Sequence, residues 1–277
     1  MRRLLLCLFI IPTLTWGQKV YLIGDAGEPK FPDPNLELLK EQIKEATADD
    51  FLIFLGDNLY PKGLPDKEDP ERAAMEKKLI PQLDIMKAFP GASYILHGNH
   101  DWAQGKKYGF KNALNMEDFI RTYLDRKEAF LPTGGCPGPI EIPLNDQSTM
   151  IILNTQYFLY GWDKPGQESE CGNKSTIEAL DDLRRMVERN KGKHILIAAH
   201  HPIYTYGEHH GNFSFKDQLK PLPILGSIQP LFRRFIGNIQ DVTHPKYRAI
   251  MKQVIAAMNQ AENVVYACGH EHSLQFI

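Results

Sequence analysis

The chain has 277 residues, 43% hydrophobic and 24% charged, the composition of an ordinary globular protein rather than a disordered or fibrous one. Its formal net charge of -2, with no cluster of Lys and Arg, argues against nucleic acid as a partner. With no linker-like stretch, internal repeat or low-complexity tract, the length reads as one domain.

Arg2 and Arg3 precede an apolar run from Leu4 to Leu14, followed by Thr15, Trp16 and Gly17. A basic start, a short apolar core and small residues near the cut describe a secretory signal peptide. The run is too short to span a bilayer comfortably. Residues 1–17 are therefore expected to be removed, leaving 18–277 as the domain of an exported protein, periplasmic, outer-membrane-associated or extracellular. Export means an oxidising compartment, where a disulfide persists. Three cysteines remain after cleavage: Cys136 and Cys171 lie in loops, and Cys268 ends a strand-like run. The expected pair is Cys136–Cys171, with Cys268 free and buried; the alternative is three free thiols.

Strand and helix patterns alternate along the rest. Residues 19–24 read as a strand, and 35–48 as a helix with Leu36, Leu39 and Ile43 on one face. Strand 51–55 follows, then a helix over 71–88 broken at Pro81, strand 93–97 and helix 117–127. Beyond these come strand 149–154, an amphipathic helix over 176–190 and strand 194–199. Helix 244–260, with Pro245 in its first turn, leads to the last strand at 263–268. Such alternation implies βαβ units and a largely parallel sheet.

Five of these strands end in side chains able to bind metal. They run into Gly24-Asp25-Ala26-Gly27, Gly56-Asp57-Asn58-Leu59-Tyr60, Gly98-Asn99-His100-Asp101, His200-His201-Pro202 and Gly269-His270-Glu271-His272. In open α/β sheets ligands bind beyond the carboxyl ends of the strands. Each piece alone is unremarkable: Gly-Asp after a strand is commonly a plain turn, and a lone histidine is commonly packed or surface. One shared metal site explains all five at once. Asp, Asn and His without cysteine suit zinc, iron or manganese. Two such ions about 3.5–4 Å apart clamp the attacking and leaving oxygens of an in-line displacement.

In their order and spacing these blocks resemble the calcineurin-like metallophosphoesterases, and most of all the purple acid phosphatase branch. The resemblance implies a four-layer αββα sandwich of two mixed sheets. It implies that Asp25, Tyr60 and His272 hold one metal, that Asp57 bridges, and that Asn99, His200 and His270 hold the second. Many relatives carry a histidine two residues after the first aspartate; here that position is Gly27, and Tyr60 stands where the purple acid phosphatases place their tyrosine ligand. The implied cofactors are Fe3+ with Fe2+, Zn2+ or Mn2+. The implied reaction is hydrolysis of a small phosphate monoester by in-line attack of a metal-bound hydroxide.

His100 is expected to assist the leaving group and Asp101 to orient its ring. His201 is expected to touch phosphate, donate a proton or support the ligands from behind. The segment Glu208-His209-His210-Gly211 is expected to rim the pocket, together with loops 61–70, 102–115, 156–172 and 204–226. Two alternatives stand beside the monoesterase. One is a phosphodiesterase or nucleotidase with the same metals. The other is a non-catalytic surface module of a larger outer-membrane protein. The stretches Asn99-His100-Asp101-Trp102, Cys136-Pro137-Gly138-Pro139 and Leu222-Pro223-Ile224-Leu225-Gly226-Ser227 resemble exported bacterial members, some of which continue into an outer-membrane β-barrel. The chain stops five residues after His272, where the family normally has further strands, so it reads as a fragment or as a fold without its closing strands. Membrane association is expected only through such a missing C-terminal region.

Overall fold

The structure, a computed structural model, describes residues 17–214 and 225–277. The expected signal peptide, except Gly17, lies outside the described residues, as does 215–224 of the expected rim.

Four short apolar runs, β1 (Val20–Ile23), β2 (Phe51–Phe54), β3 (Ala92–Leu96) and β4 (Phe130–Leu131), form one sheet in that order, parallel throughout. Its crossovers contain α1 (Pro34–Gln42), α2 (Arg72–Ala88) and α3 (Gly109–Leu124). Each strand adds beside the one before it. Right-handed crossovers repeated in one direction place every helix on the same face. The opposite face is left for a second sheet of β5 (Ile140–Asn145), β6 (Ser148–Ile152), β7 (His194–Ala198) and β8 (Val264–Ala267). Here β5 is antiparallel to β6 and the others are parallel, so the mixed character resides in this sheet. Outside it lie α4 (Thr155–Leu159), α5 (Thr176–Arg189) and α7 (Pro245–Met258), while α6 (Ile228–Phe235) lies in the long β7–β8 connection.

The period-two alternation of strand side chains sorts the core into three slabs. Leu52 and Phe54 pack with Leu79, Leu83 and Ile120 beneath α1–α3. Phe51, Ile53 and Leu55 meet Met150, Ile152 and Ala198 between the sheets. Ile151, Ile195 and Ile197 pack with Leu183 and Val254 of α5 and α7. Strands covered on both faces read as unbroken apolar runs, which is why β2 was legible. The result is the expected αββα layering.

Three local expectations are corrected. Pro81 does not break its helix: α2 continues through it. An internal proline costs about 3 kcal/mol, but buried Leu79, Leu83, Ile85 and Met86 on both sides hold the helix against the sheet. α3 begins at Gly109, eight residues before the expected start, and buries Ala113, Met116 and Ile120 at helical spacing. The β5 strand was missed because Pro143 interrupts its alternation, yet β5 is an edge strand, where proline is tolerated. The expected Cys136–Cys171 disulfide is present, and Cys268 is free but only half-buried. Among the described residues no helix is long and apolar enough to cross a membrane.

One carboxyl in the α3 layer carries a pH dependence. Glu117 is buried and accepts the Gly134 N–H at 2.7 and 3.0 Å. Burial pushes it up to about 7 against the pull of that donor. A raised carboxyl is held protonated by the folded state, so its contribution is fully present below about 4.5 and is lost as pH rises through about 7. Glu117→Gln, neutral at every pH, is expected to gain on the wild type by up to about 3 kcal/mol across that window. Urea unfolding of both proteins between pH 4.5 and 8 measures it, and parallel profiles would refute it.

Candidate metal centre

Both sheets present their carboxyl ends to one place. Asp25 follows β1, Asp57 and Tyr60 follow β2, Asn99 follows β3, His200 follows β7, and His270 and His272 follow β8. The turns are tied to their neighbours within each sheet. Asp25 N–H donates to Gly56 O at 3.1 Å and Gly269 N–H to His200 O at 3.1 Å. The His270 N–H donates to the Asp25 carboxylate at 2.9 and 3.0 Å, joining the end of the second sheet to the end of the first. Asp25, Asp57 and His270 all sit in left-handed backbone, with φ of 57°, 53° and 71°. Non-glycine residues enter that region at a cost that surrounding structure must hold, and such positions gather at functional sites.

Two glycines explain the close approach. A Cβ at Gly98 would lie 2.0 Å from Asp57 N, and one at Gly27 would lie 2.3 Å from Leu59 N. The second contact bears on chemistry. No histidine fits at position 27 in this packing, and Tyr60 lies beside the first aspartate instead.

The seven expected ligands converge. Tyr60 Oη lies 3.2 Å from Asp25 Oδ1, 3.2 Å from Asp57 Oδ2 and 2.9 Å from His272 Nε2. His272 Nε2 is 3.7 Å from Asp25 Oδ1. His200 Nε2 is 3.3 Å from Asp57 Oδ2 and 2.9 Å from the Asn99 side-chain oxygen, which His270 Nδ1 approaches to 2.8 Å. Ligand atoms of Asp25, Asp57 and His200 all lie within 4.8 Å of one another.

The chemistry of this donor set fits cations. The far nitrogens of two histidines are each taken by a backbone carbonyl, His200 Nδ1 by Leu55 O at 3.0 Å and His270 Nε2 by Gln240 O at 2.8 Å. A carbonyl only accepts, so those nitrogens carry the protons, and His200 Nε2 and His270 Nδ1 turn lone pairs inward. With two carboxylates beside them, the site holds more acceptors than protons.

A proton competes with a cation for the inward nitrogen of His200. Burial opposes charge on His200, yet Asp57 and Asp25 outweigh it and hold its ring up at about 9. Burial likewise opposes ionisation of Asp57, but His200 and His100 bring it down to about 2. Burial, then the Asp57 and Asp25 charges, push the Tyr60 phenol far up. A multivalent cation reverses that last tendency and satisfies every inward lone pair.

Of the remaining expected residues, one stands where anticipated. His100 lines the cleft and lies over Tyr60 at a ring separation of 4.2 Å. Its Nδ1–H donates to Pro61 O at 2.9 Å, leaving Nε2 near the Gln104 amide at 3.2 Å.

The expectation that Asp101 orients His100 is corrected. Asp101 is fully buried and accepts from Gly98 N, Asn58 N, Leu59 N and Asn58 Nδ2 at 2.7, 2.9, 3.2 and 2.9 Å. Burial and the Asp57 charge push its carboxyl up to about 7, against the pull of the backbone donors. It clamps the two loops that carry Asp57, Tyr60 and Asn99.

His201 is also corrected as a phosphate contact. It is fully buried, is absent from the cleft wall, and has both ring nitrogens taken, Nδ1 by Thr155 Oγ1 and Nε2 by Gln240 Oε1, each at 2.7 Å. The hydroxyl donates to one nitrogen and the amide oxygen accepts from the other, so no lone pair remains for substrate or metal. His201 packs behind His200 and His270, at ring separations of 5.0 and 4.7 Å.

The cleft over the site measures about 640 Å³. His209 and Glu208 line it, as expected of that segment, but His210 does not. Loops 61–70 and 156–172 contribute nothing to its wall, whereas Arg233 of α6 and the turn 238–240 do. Gln240, Asp241 and Arg233 were missed in the sequence, where no periodicity or glycine punctuation marks them.

Residues 18–274 match the sequence profile of a family described as calcineurin-like phosphoesterase. The chain is also similar to "Purple acid phosphatase 7" of Arabidopsis thaliana, at 24% identity over 173 residues, which is 62% of this chain and 49% of that protein. The matched stretch thus spans about half the length of that curated relative.

Proposed function

The chain belongs to the calcineurin-like phosphoesterase family, a family of metal-dependent hydrolases, and from that premise we propose that it cleaves phosphate monoesters at a binuclear metal centre. The observation that carries this reading is Asp57. Its Oδ2 is shared by two donor groups, lying 3.2 Å from Tyr60 Oη and 3.3 Å from His200 Nε2. Asp25, Tyr60 and His272 complete one group; Asn99, His200 and His270 complete the other. Bound in these groups, two cations supply Lewis acidity toward the phosphoryl oxygens and a water of lowered pKa.

The chain's own residues do the rest. The Pro61 carbonyl keeps one proton on His100 Nδ1, so that Nε2 is the nitrogen at the cleft, which takes up a second proton from solvent and passes it to the departing alkoxide. Gln104 orients the same ring from its other side. The Leu55 and Gln240 carbonyls keep His200 and His270 in the ligating tautomer. A phenolate ligand at Tyr60 favours Fe3+, with Fe2+, Zn2+ or Mn2+ beside it. The Cys136–Cys171 disulfide supports export of the protein to an oxidising compartment.

The test is metal content and visible absorption of the purified protein, with phenyl phosphate and diphenyl phosphate assayed on the same sample. About two metals per chain with iron among them, a tyrosinate charge-transfer band and a preference for the monoester are expected. Preference for the diester would turn the reading to a phosphodiesterase. Colourless metals with monoesterase activity would remove iron alone, and metal-loaded protein inert on both esters would overturn the proposal.

A further inference from the structure

The wall of the cleft away from the metal ligands holds a cation that the hydrolytic chemistry does not use. Among the described lining residues, Arg233 is the sole guanidinium or ammonium group. Its two carboxylate partners differ in kind. Asp241 is fully buried and lies 3.3 Å from Arg233 Nε; it also accepts His209 Nδ1 at 2.8 Å and Asn238 N at 2.8 Å. That carboxylate fixes the arginine and His209 together, and the His209 ring stacks on His270 with centroids 3.8 Å apart. Glu208 stands 3.6 Å from Nη1 with its side chain 58% exposed. An ion pair of that length and exposure contributes little and yields readily to a better-placed anion. The Asp241 contact engages Nε, and among the described residues only the exposed Glu208 carboxylate approaches a terminal nitrogen, so the Nη edge can turn to the bidentate recognition of carboxylate or phosphate that arginine favours.

No hydrogen bond or ion pair joins this anchored guanidinium directly to any of the seven candidate ligands; its contacts lead to His270 through Asp241 and His209. The geometry thus sets Arg233 on a different part of the wall from the ligand side chains, where the rest of a bound substrate would lie. We propose that Arg233 is a specificity-determining residue that binds a second anionic group, a carboxylate or phosphate, on the alcohol half of the substrate. This rests on the phosphomonoesterase reading above. The substrate class is then a phosphate monoester whose leaving group is itself an anion, with the amides of Asn212 and Asn238, which line the same cleft, beside it.

The experiment compares kcat/KM of the metal-loaded protein on phenyl phosphate, 4-carboxyphenyl phosphate and the 1,4-phenylene bisphosphate, for wild type, Arg233→Ala and Arg233→Lys. The wild type should prefer one or both anion-bearing esters. In Arg233→Ala that preference should fall at least about tenfold, through KM, and Arg233→Lys should restore part of it. Whether carboxylate or phosphate loses more identifies the anion. A second readout needs no variant: 4-carboxyphenylphosphonate or its phosphate-bearing analogue should bind the wild type more tightly than phenylphosphonate, and rising salt should erase the difference. Wild type that turns over all three esters with no preference, or variants that keep the wild-type ratio, would overturn the subsite while leaving the phosphatase reading intact. Wild type inactive on all three would overturn that reading, and the subsite with it.

Discussion

Asp57→Asn is expected to lower kcat on a phosphate monoester by at least ~10³-fold and to remove at least one metal equivalent per chain. The two effects should appear together because one carboxylate would serve both donor groups. Oδ2 faces Tyr60 Oη and His200 Nε2, and Oδ1 accepts the His100 N–H at 2.7 Å. Asparagine keeps an oxygen for His100 and nearly the same volume, so backbone positions should survive. What it loses is the charge, in a site that is buried and therefore sensitive to charge. Metal analysis by mass spectrometry and single-substrate kinetics on matched preparations give the two numbers. Full activity with a full metal complement would reject the shared-carboxylate site; full metal with low activity would place Asp57 in chemistry rather than in metal holding.

Asp101→Ala should act on a different quantity. Its carboxylate takes four N–H donors from two loops, all within 3.2 Å and all away from solvent. Removing it strands these buried donors, at a cost of about 4 kcal/mol. For a domain of this size that lowers Tm by roughly 10 °C. Asp101→Asn should be nearly as damaging, because its amide turns a donor toward other donors. Activity should fall only as far as loop 56–60 and loop 98–101 lose register, and added metal should recover part of it by binding the folded state. A residue that merely oriented His100 would show the reverse pattern, a fall in kcat with Tm unchanged. Thermal unfolding and kcat on the same variant separate the two roles, and an unchanged Tm would reject the clamp.

Adjacency in sequence does not decide what Asp101 supports. Its position next to His100 suggested that one supports the other. Neighbours in sequence diverge after a strand end, and the buried carboxylate turned toward the Asn58 and Leu59 amides while the imidazole turned toward Pro61 O. Of the two readings of His201, phosphate contact falls for the same reason and support from behind is left: beside His200 in the chain, it points into the core between Thr155 and Gln240. Local propensity predicts a break at Pro81, and burial of the helix face around it decides otherwise.

The sequence by itself determined what is local or periodic. Apolar runs long enough for buried strands, helices with one apolar face, and Gly-Asp, Gly-Asn, His-His and Gly-His blocks immediately after the strands placed all seven convergent candidate ligands on five strand ends. A parallel strand can deliver its ligand in only one direction, so order and strand type were enough to bring them to one edge. Only the tertiary structure decided what surrounds them. Gln240 reaches His270 across 30 residues, Asn58 reaches Asp101 across 43, and Asp241 joins Arg233 to His209 from another turn of the chain. Those partners follow from how the two sheets stack and which side chains burial leaves without water. A polar group shut away from solvent must bond to whatever the packing sets beside it, and no spacing in the sequence encodes that.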